Sequence, residues 1–266
     1  MIGNRLHGRL GNQLFQYAFI FSASKKLNTS FFIDHYLDTF VLDKYFETKA
    51  YSSLKNKIRN SFYQRFLSKK WSVSTENKDF STHNITKKLK NSHFYDGYFQ
   101  SSLYFEEEEI KREFKITEKW ISKFNTEFKT LFDNNKTLVI HIRLTDYTEV
   151  NNHMALPIEY YKKALLKVKD ITQYQIIVVS DDINLAKEKL KIKDALYCQN
   201  KMIIDFQLVM NADALIIANS SFSWWAAYLN QKKEKLIIAP KNWMGYNKNE
   251  CHPPHILKNL SWQAIV

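Results

Sequence analysis

Through the second half of the chain, short runs of consecutive apolar, mostly β-branched residues alternate with stretches of helical period. TLVIHI (137–142), QIIVVS (175–180), ALYC (195–198, the weakest), DALIIANS (213–220) and KLIIAP (235–240) read as strands. A helix is expected after Pro157, through Tyr160, Ala164, Leu165 and Val168, with others over 183–190, 202–210 and 222–229. Strands that are apolar throughout are buried on both faces. Their alternation with helices predicts a parallel, doubly wound sheet.

The first half is less regular. Residues 1–6 and SFFID (30–34) read as strands, and 12–27 as a helix between them. From 40 to 130 the chain is aromatic, charged and mostly helical in pattern. EEEE (106–109) opens one of those helices, where acids suit the positive end of the helix dipole. Asp133-Asn134-Asn135 marks the expected boundary between an α/β domain with helical insertions (1–133) and a second α/β domain (134–266). Two such halves facing each other across a cleft are the expected architecture.

Charge adds a surface to this picture. The 266 residues carry a formal net charge of +12, which attracts polyanions: phosphorylated substrates, anionic lipid or nucleic acid. Residues 55–90 hold ten Lys or Arg against two acids, Glu76 and Asp79, with Phe62, Tyr63, Phe66 and Trp71 interleaved. Ile58, Phe62, Arg65, Phe66 and Lys69 fall at helical spacing, so 54–70 is expected to form a basic amphipathic helix suited to peripheral contact with an anionic membrane. No recognisable nucleic-acid-binding module accompanies the charge, so nucleic acid is not expected as a partner. With two cysteines, Cys198 and Cys251, no leader pattern and no apolar run near the ~20 residues that span a bilayer, a reducing, cytoplasmic setting is expected.

Candidate chemistry sits where strands are expected to end. This is where open parallel sheets bind ligands. GRLGNQ (8–13) joins a strand to a helix: Gly8 and Gly11 allow a tight turn and close approach, and Asn12 and Gln13 begin a helix whose N–H groups favour an anion. The same residues would also serve as a plain strand-turn-helix corner. In HIRLTDY (141–147), His141 and Arg143 alternate on a strand and share a face; Asp146 is placed to orient either of them or to pair with Arg143. Arginine offers a permanently charged fork for diphosphate oxygens. Asp181 and Asp182, in SDD (180–182), read as helix caps in preference to metal ligands. After DALIIANS, Ser220, Ser221 and Ser223 stand at a helix N-terminus; one serine would serve as a plain cap, but three with Asn219 exceed that need and read as a phosphate cradle without a glycine-rich loop, while Trp224 and Trp225 read as core.

Three of these motifs together resemble the bacterial and animal α-1,2-fucosyltransferases. GRLGNQLFQYA (8–18) is similar to their N-terminal signature, HIRLTDY to their H-x-R-R-G-D-Y motif, and NSSFSWWAAYL (219–229) to their C-terminal serine-tryptophan block. The resemblance implies a GT-B fold of two Rossmann-like lobes. It also implies inverting transfer of fucose from GDP-fucose to the 2-hydroxyl of a galactose-containing oligosaccharide or lipid-linked glycan, as in O-antigen or lipopolysaccharide synthesis, with no metal or other cofactor. It assigns Arg143 and His141 to the donor's diphosphate and nucleotide, Asp205 to guanosine, Ser220, Ser221 and the Phe222 backbone to phosphate, and Gly11, Asn12 and Gln13 to the donor from the first domain. Asp146 and Glu149 are the candidate general bases. Leu144 and Thr145 replace the usual Arg-Gly; alternation turns residue 144 away from the face of Arg143, and the departure leaves room for another GDP-deoxysugar. A basic nucleic-acid-binding protein is the rival from another class.

Overall fold

The computed structural model describes residues 1–34, 40–76, 88–145, 154–244, 246, 249, 251–258 and 260–265. They form two compact units, Met1–Thr117 and Glu118–Val266. The first begins with β1 (Ile2–Arg5), α1 (Leu10–Lys26) and β2 (Phe31–Asp34). It continues through α2 (Leu42–Tyr45), β3 (Phe46–Glu47), α3 (Ser53–Phe62), β4 (Ser72–Thr75), β5 (His93–Asp96), α4 (Glu107–Glu113) and β6 (Lys115–Ile116). The second runs α5 (Glu118–Asn134), β7 (Lys136–Ile142), α6 (Ile158–Leu165), β8 (Tyr174–Ser180), α7 (Ile183–Leu190) and β9 (Leu196–Cys198). It ends with α8 (Met202–Met210), β10 (Ala214–Ile216), α9 (Ser221–Tyr228), β11 (Leu236–Pro240) and β12 (Gln263–Ile265).

The second unit follows the expected rhythm closely. Its sheet is parallel throughout, in the order β12-β11-β10-β7-β8-β9. Strands successive in sequence step outward from β7 to β9, then return to the other side of β7 at β10 and continue to β12. That reversal between β7 and β10 is the topological switch point at which doubly wound sheets open a crevice. Helix α5, expected ahead of the boundary at 133, packs instead with the second unit: the Gln207 side chain on α8 donates to the Trp120 carbonyl at 3.0 Å.

The first unit is also a parallel sheet, ordered β2-β1-β5-β4. Two of its strands, β4 and β5, lie where a helical pattern was expected. Four residues are too few to show a period, and HFYD reads as a strand only because β1 and β4 flank it. Helix α1 is buried from Leu10 to Ser24 except at Asn12, with Phe19 stacked on Phe99 at 3.8 Å between centroids. An all-round apolar helix of this kind belongs inside a unit rather than on its surface.

The basic segment forms α3, which a π-helical turn (Tyr63–Leu67) prolongs. The helix docks on β2 mainly through polar groups. Asn56, buried, accepts from the Ile33 amide at 2.6 Å and donates to its carbonyl at 2.9 Å. Arg59 donates to the Phe31 carbonyl at 2.9 Å. One turn on, Tyr63 stacks against Phe94 at 5.1 Å. No helix among the described residues is long and apolar enough to cross a membrane.

Close packing of β1 makes one glycine irreplaceable. A Cβ on Gly3 would lie 2.3 Å from Cζ of Phe32 and 2.7 Å from Phe94, two buried rings with no room to retreat. Gly3→Ala is expected to cost about 1–3 kcal/mol through overpacking; urea denaturation followed by fluorescence should show the midpoint fall, and an unchanged midpoint would contradict this packing.

Candidate active site at the strand-order reversal

Strand β7 leaves the middle of the second sheet. Leu138, Ile140, Ile142 and Leu144 share one face and join a single apolar cluster with Tyr160, Tyr161 and Ala164 of α6. Alternation therefore sends His141 and Arg143 to the opposite face. Leu144 is 4% exposed, buried as a core residue, and so turns away from Arg143 as the spacing predicts.

Arg143 is anchored. Its Nε lies 3.1 Å from Oδ2 of Asp181 at the end of β8. The same carboxylate accepts from the Leu144 amide at 2.9 Å, the Thr145 amide at 3.3 Å and the Thr145 hydroxyl at 2.5 Å. Burial alone would raise the pKa of Asp181, but the bonds from Thr145 and Leu144 and the charge of Arg143 outweigh it and hold the group below its usual range. The two acids of SDD thus divide their work. Asp182 caps α7, accepting from the Leu185 amide at 3.0 Å, whereas Asp181 grips the backbone after β7 and its arginine. Sequence reading cast Asp181 as a cap and looked to Asp146 for Arg143. Asp146 and Glu149 lie outside the described residues.

His141 is 4% exposed, and its ring packs on Phe222 at 5.3 Å. Burial, reinforced by the Arg143 charge, lowers its pKa to about 3, so the imidazole is neutral at physiological pH. Its Nδ1 is buried with no hydrogen-bond partner among the described residues. A buried polar atom in that state marks a place for a ligand or a water.

Phe222 belongs to the first turn of α9, which follows β10 on the other side of the reversal. The Ser220 hydroxyl makes no capping bond to this helix, and its first turn carries no acid. First-turn amides have no acceptor within their own helix. Behind them the helix is solid: Trp224 and Trp225 are both fully buried, Trp224 stacks on Tyr228 at 4.8 Å, and its Nε1 donates to the Ile256 carbonyl at 2.9 Å. The tryptophans are core, as expected. Ser223 is buried too, and its hydroxyl donates to the carbonyls of Ser220 and Ala218 at 3.2 and 3.3 Å, inside its own turn. Asn219, 1% exposed, donates to the Met154 carbonyl at 2.7 Å and holds the approach to the helix.

Asp205 stands on the first turn of α8, one position before Phe206, whose ring meets Phe222 edge-on at 5.4 Å. Ring contacts therefore link the carriers of His141, Phe222 and Asp205. Burial raises the pKa of Asp205 to about 6, against the opposing hydrogen bonds of Asn200, whose amide and side chain both donate to the carboxyl. Asn200 was not picked out in the sequence; five residues before an acid, it has no spacing signature.

The glycine loop belongs to the first unit. Gly8 has φ +72°, and a Cβ there would meet the Asn12 side chain at 2.5 Å. Gln13 is buried and spans the loop: it donates to the Gly8 carbonyl at 3.0 Å and accepts from the Val41 amide at 2.9 Å. Gly11 is buried in α1, and Asn12 accepts from the Gln100 side chain at 2.9 Å. Gln16, beyond GRLGNQ but within the 8–18 signature, accepts from the His7 amide at 3.0 Å and donates to its carbonyl at 3.2 Å. The two glutamines hold the shape of this loop.

Asp181 should therefore matter to folding. Asp181→Ala removes the acceptor of three hydrogen bonds and the partner of a largely buried guanidinium, and is expected to cost about 2–3 kcal/mol at neutral pH by urea titration. The folded pKa is depressed, so this contribution is complete above the ordinary carboxylate value of about 3.9 and is lost as pH falls through the lower, folded one. The gap between wild type and Asp181→Asn should close on acidification below about pH 4. A gap independent of pH would mean that the charge is not what stabilises the loop.

The chain is similar to known proteins over most of its length. It is 29% identical to the O-antigen biosynthesis glycosyltransferase WbnK of Escherichia coli, over 92% of this chain and 96% of that one. It is 31% identical to an α-1,2-colitosyltransferase of Escherichia coli, over 90% and 91%. Among solved structures it is similar to the α-1,6-fucosyltransferase NodZ soaked with GDP-fucose (TM-score 0.55, 12% identity, 86% of this chain and 92% of that one). It is equally similar to POFUT1 in complex with GDP (TM-score 0.55, 13% identity, 88% and 96%). At such identities the structural likeness speaks for the fold, which is α/β and GT-B-like. The family model for glycosyl transferase family 11 matches residues 1–263, and the chain belongs to that family of glycosyltransferases.

Proposed function

We propose that this glycosyltransferase moves L-fucose from GDP-β-L-fucose to the 2-hydroxyl of a galactoside, with inversion, on an oligosaccharide or lipid-linked glycan of the O-antigen kind. The observation that carries the reading is that a permanent cation, Arg143, ends β7 while α9, whose N-cap Ser220 makes no side-chain capping bond, follows β10, the two strands where the order reverses. A diphosphate needs both: a guanidinium fork and a ring of backbone amides. The amides of Ser221 and Phe222 and the hydroxyl of Ser220 meet one phosphate, and Arg143 the other. His141, neutral, supplies a hydrogen bond without adding charge. Ser223 acts through the shape of the turn, since its hydroxyl is engaged within it.

In the reaction GDP departs with growing negative charge, and these donors are already in place to receive it. The acceptor hydroxyl attacks the anomeric carbon from the opposite face, so a β-linked donor gives an α-linked product through a cation-like sugar. Asp146 and Glu149 are the candidates to take the acceptor's proton. No metal is required in this reading: the oxygens of Asp181 are spent on three protein hydrogen bonds and an arginine, and Asp182 caps a helix. Asp205 accepts from the guanine edge as a carboxylate. The loop of Gly11, Asn12 and Gln13 is assigned a part in donor binding, with Gln13 acting through loop shape. Both cysteines, Cys198 and Cys251, are free thiols, which suits a reducing setting, and we assign the reaction to the cytoplasm.

A second donor has a specific observation in its favour. The relative named as an α-1,2-colitosyltransferase is 31% identical, and in this chain Leu144-Thr145 stand where the fucosyltransferase pattern has Arg-Gly. Colitose lacks the 3-hydroxyl of fucose, so GDP-colitose would present the same diphosphate and a less polar sugar.

Purified enzyme offered GDP-fucose, GDP-colitose and GDP-mannose with a panel of β-galactosides, with and without EDTA, decides the donor. The expected product is α-1,2-linked fucose, formed equally in EDTA; transfer of colitose alone selects the second reading, and no transfer from any GDP-sugar rejects both. Arg143→Ala is expected to lower kcat/KM by about 10²–10³, and near-normal turnover in a folded variant would remove it from the site. Affinity for GDP-fucose, whose esterified diphosphate has no proton titrating near this range, should fall as pH drops through about 6, where Asp205 becomes protonated, and Asp205→Asn should abolish that dependence; a dependence that persists in the variant would take Asp205 out of nucleotide binding.

A further inference from the structure

The outward face of α3 has no part in the fold. Asn56, Arg59 and Tyr63 seat the helix on β2 and β5, so its opposite side is turned away from the unit. On that side Leu54, Ile58, Phe62 and Phe66 recur every four residues and are 68%, 62%, 50% and 54% exposed. Four large apolar side chains in one exposed row are costly in water unless something covers them. Beside the row opens a hollow of about 460 Å³ lined by Met1, Ile58, Phe62, Leu67 and Trp71.

Charge identifies what covers the row. Between residues 51 and 75 the chain has six Lys or Arg and no acid. Lys55 and Lys57 flank the first half of the row, and Arg65, Lys69 and Lys70 the second; all five are exposed. Apolar side chains in line with a surround of cations match the interface of a bilayer, where acyl chains accept the first and anionic headgroups the second. A nucleic acid would reward the cations but not Leu54 or Ile58. We propose that this face of α3, with its π-helical extension, is a docking surface for an anionic phospholipid membrane. It would hold the enzyme on the leaflet by charge and shallow insertion without any spanning segment. This inference is independent of the donor sugar.

Sedimentation of the full-length protein with phosphatidylcholine vesicles, with and without phosphatidylglycerol, tests it. Binding is expected to the anionic vesicles only and to fall as salt rises. Lys55→Glu/Lys57→Glu should weaken it by more than tenfold, since each basic residue near such a surface contributes about fivefold. Leu54→Ser/Ile58→Ser, which keeps every charge, should weaken it by a similar factor. Both variants should keep the wild-type melting temperature and turnover on a soluble acceptor. No binding to anionic vesicles, equal binding to neutral ones, or an unaffected serine variant overturns the proposal. The same holds if RNA binds more tightly than the vesicles and the serine variant keeps that affinity, which would make the face a plain polyanion site.

Discussion

Everything at the candidate site rests on one carboxylate. Asp181 holds the main chain just after β7 through two amides and a hydroxyl, and it holds Arg143 through its charge. Strand β7 brings His141 and Arg143 to the edge of the sheet, but the chain has to stop turning there for an arginine to keep one direction. The neighbouring strand supplies that brake from its own end. The guanidinium and the carboxylate that orders it thus come from adjacent strands, β7 and β8. His141 fits the same economy of charge: buried beside a cation, it is kept neutral.

The second sheet was legible in the sequence because its strands are apolar on both faces and its helices long enough to show a period. β7, β8, β10 and β11 appeared within a few residues of where they lie, and with them the ends at which chemistry was expected. The first unit was harder. β5 is four residues long and is defined by its neighbours β4 and β1, the second of which lies at the far end of the unit in sequence. For α5, a loop-like Asp-Asn-Asn forms the end of the helix, but its packing against α8 decides its unit. At the site the residue types were readable and their partners were not. Nothing near position 143 points to an acid 38 residues later, nor does the spacing of Asn200 and Asp205 announce that one satisfies the other. The amides and serines of 219–223 looked alike in sequence, yet Ser223 faces inward.

The departure at Leu144-Thr145 illustrates how topology and chemistry separate. Residue 144 faces the α6 side of the sheet, where a leucine fills core volume, while Thr145 gives its hydroxyl to Asp181. The two positions differ from the wider pattern yet serve the scaffold rather than opposing it. A diphosphate is common to all sugars carried on GDP, so the diphosphate site we propose, built from strand order, one arginine and a helix start, is compatible with more than one sugar.

Helix α3 has a consequence for the protein's behaviour in solution that has nothing to do with ligands. β2 is the last strand of its sheet on that side among the described residues, and Asn56 and Arg59 occupy the carbonyls and an amide that such a border leaves open. An uncovered border of Phe31, Phe32 and Ile33 would be a template on which a second molecule could add a strand. The helix is therefore a safeguard against self-association, and the polar character of its inner face is what lets it close the row of backbone groups while keeping its greasy side for another purpose.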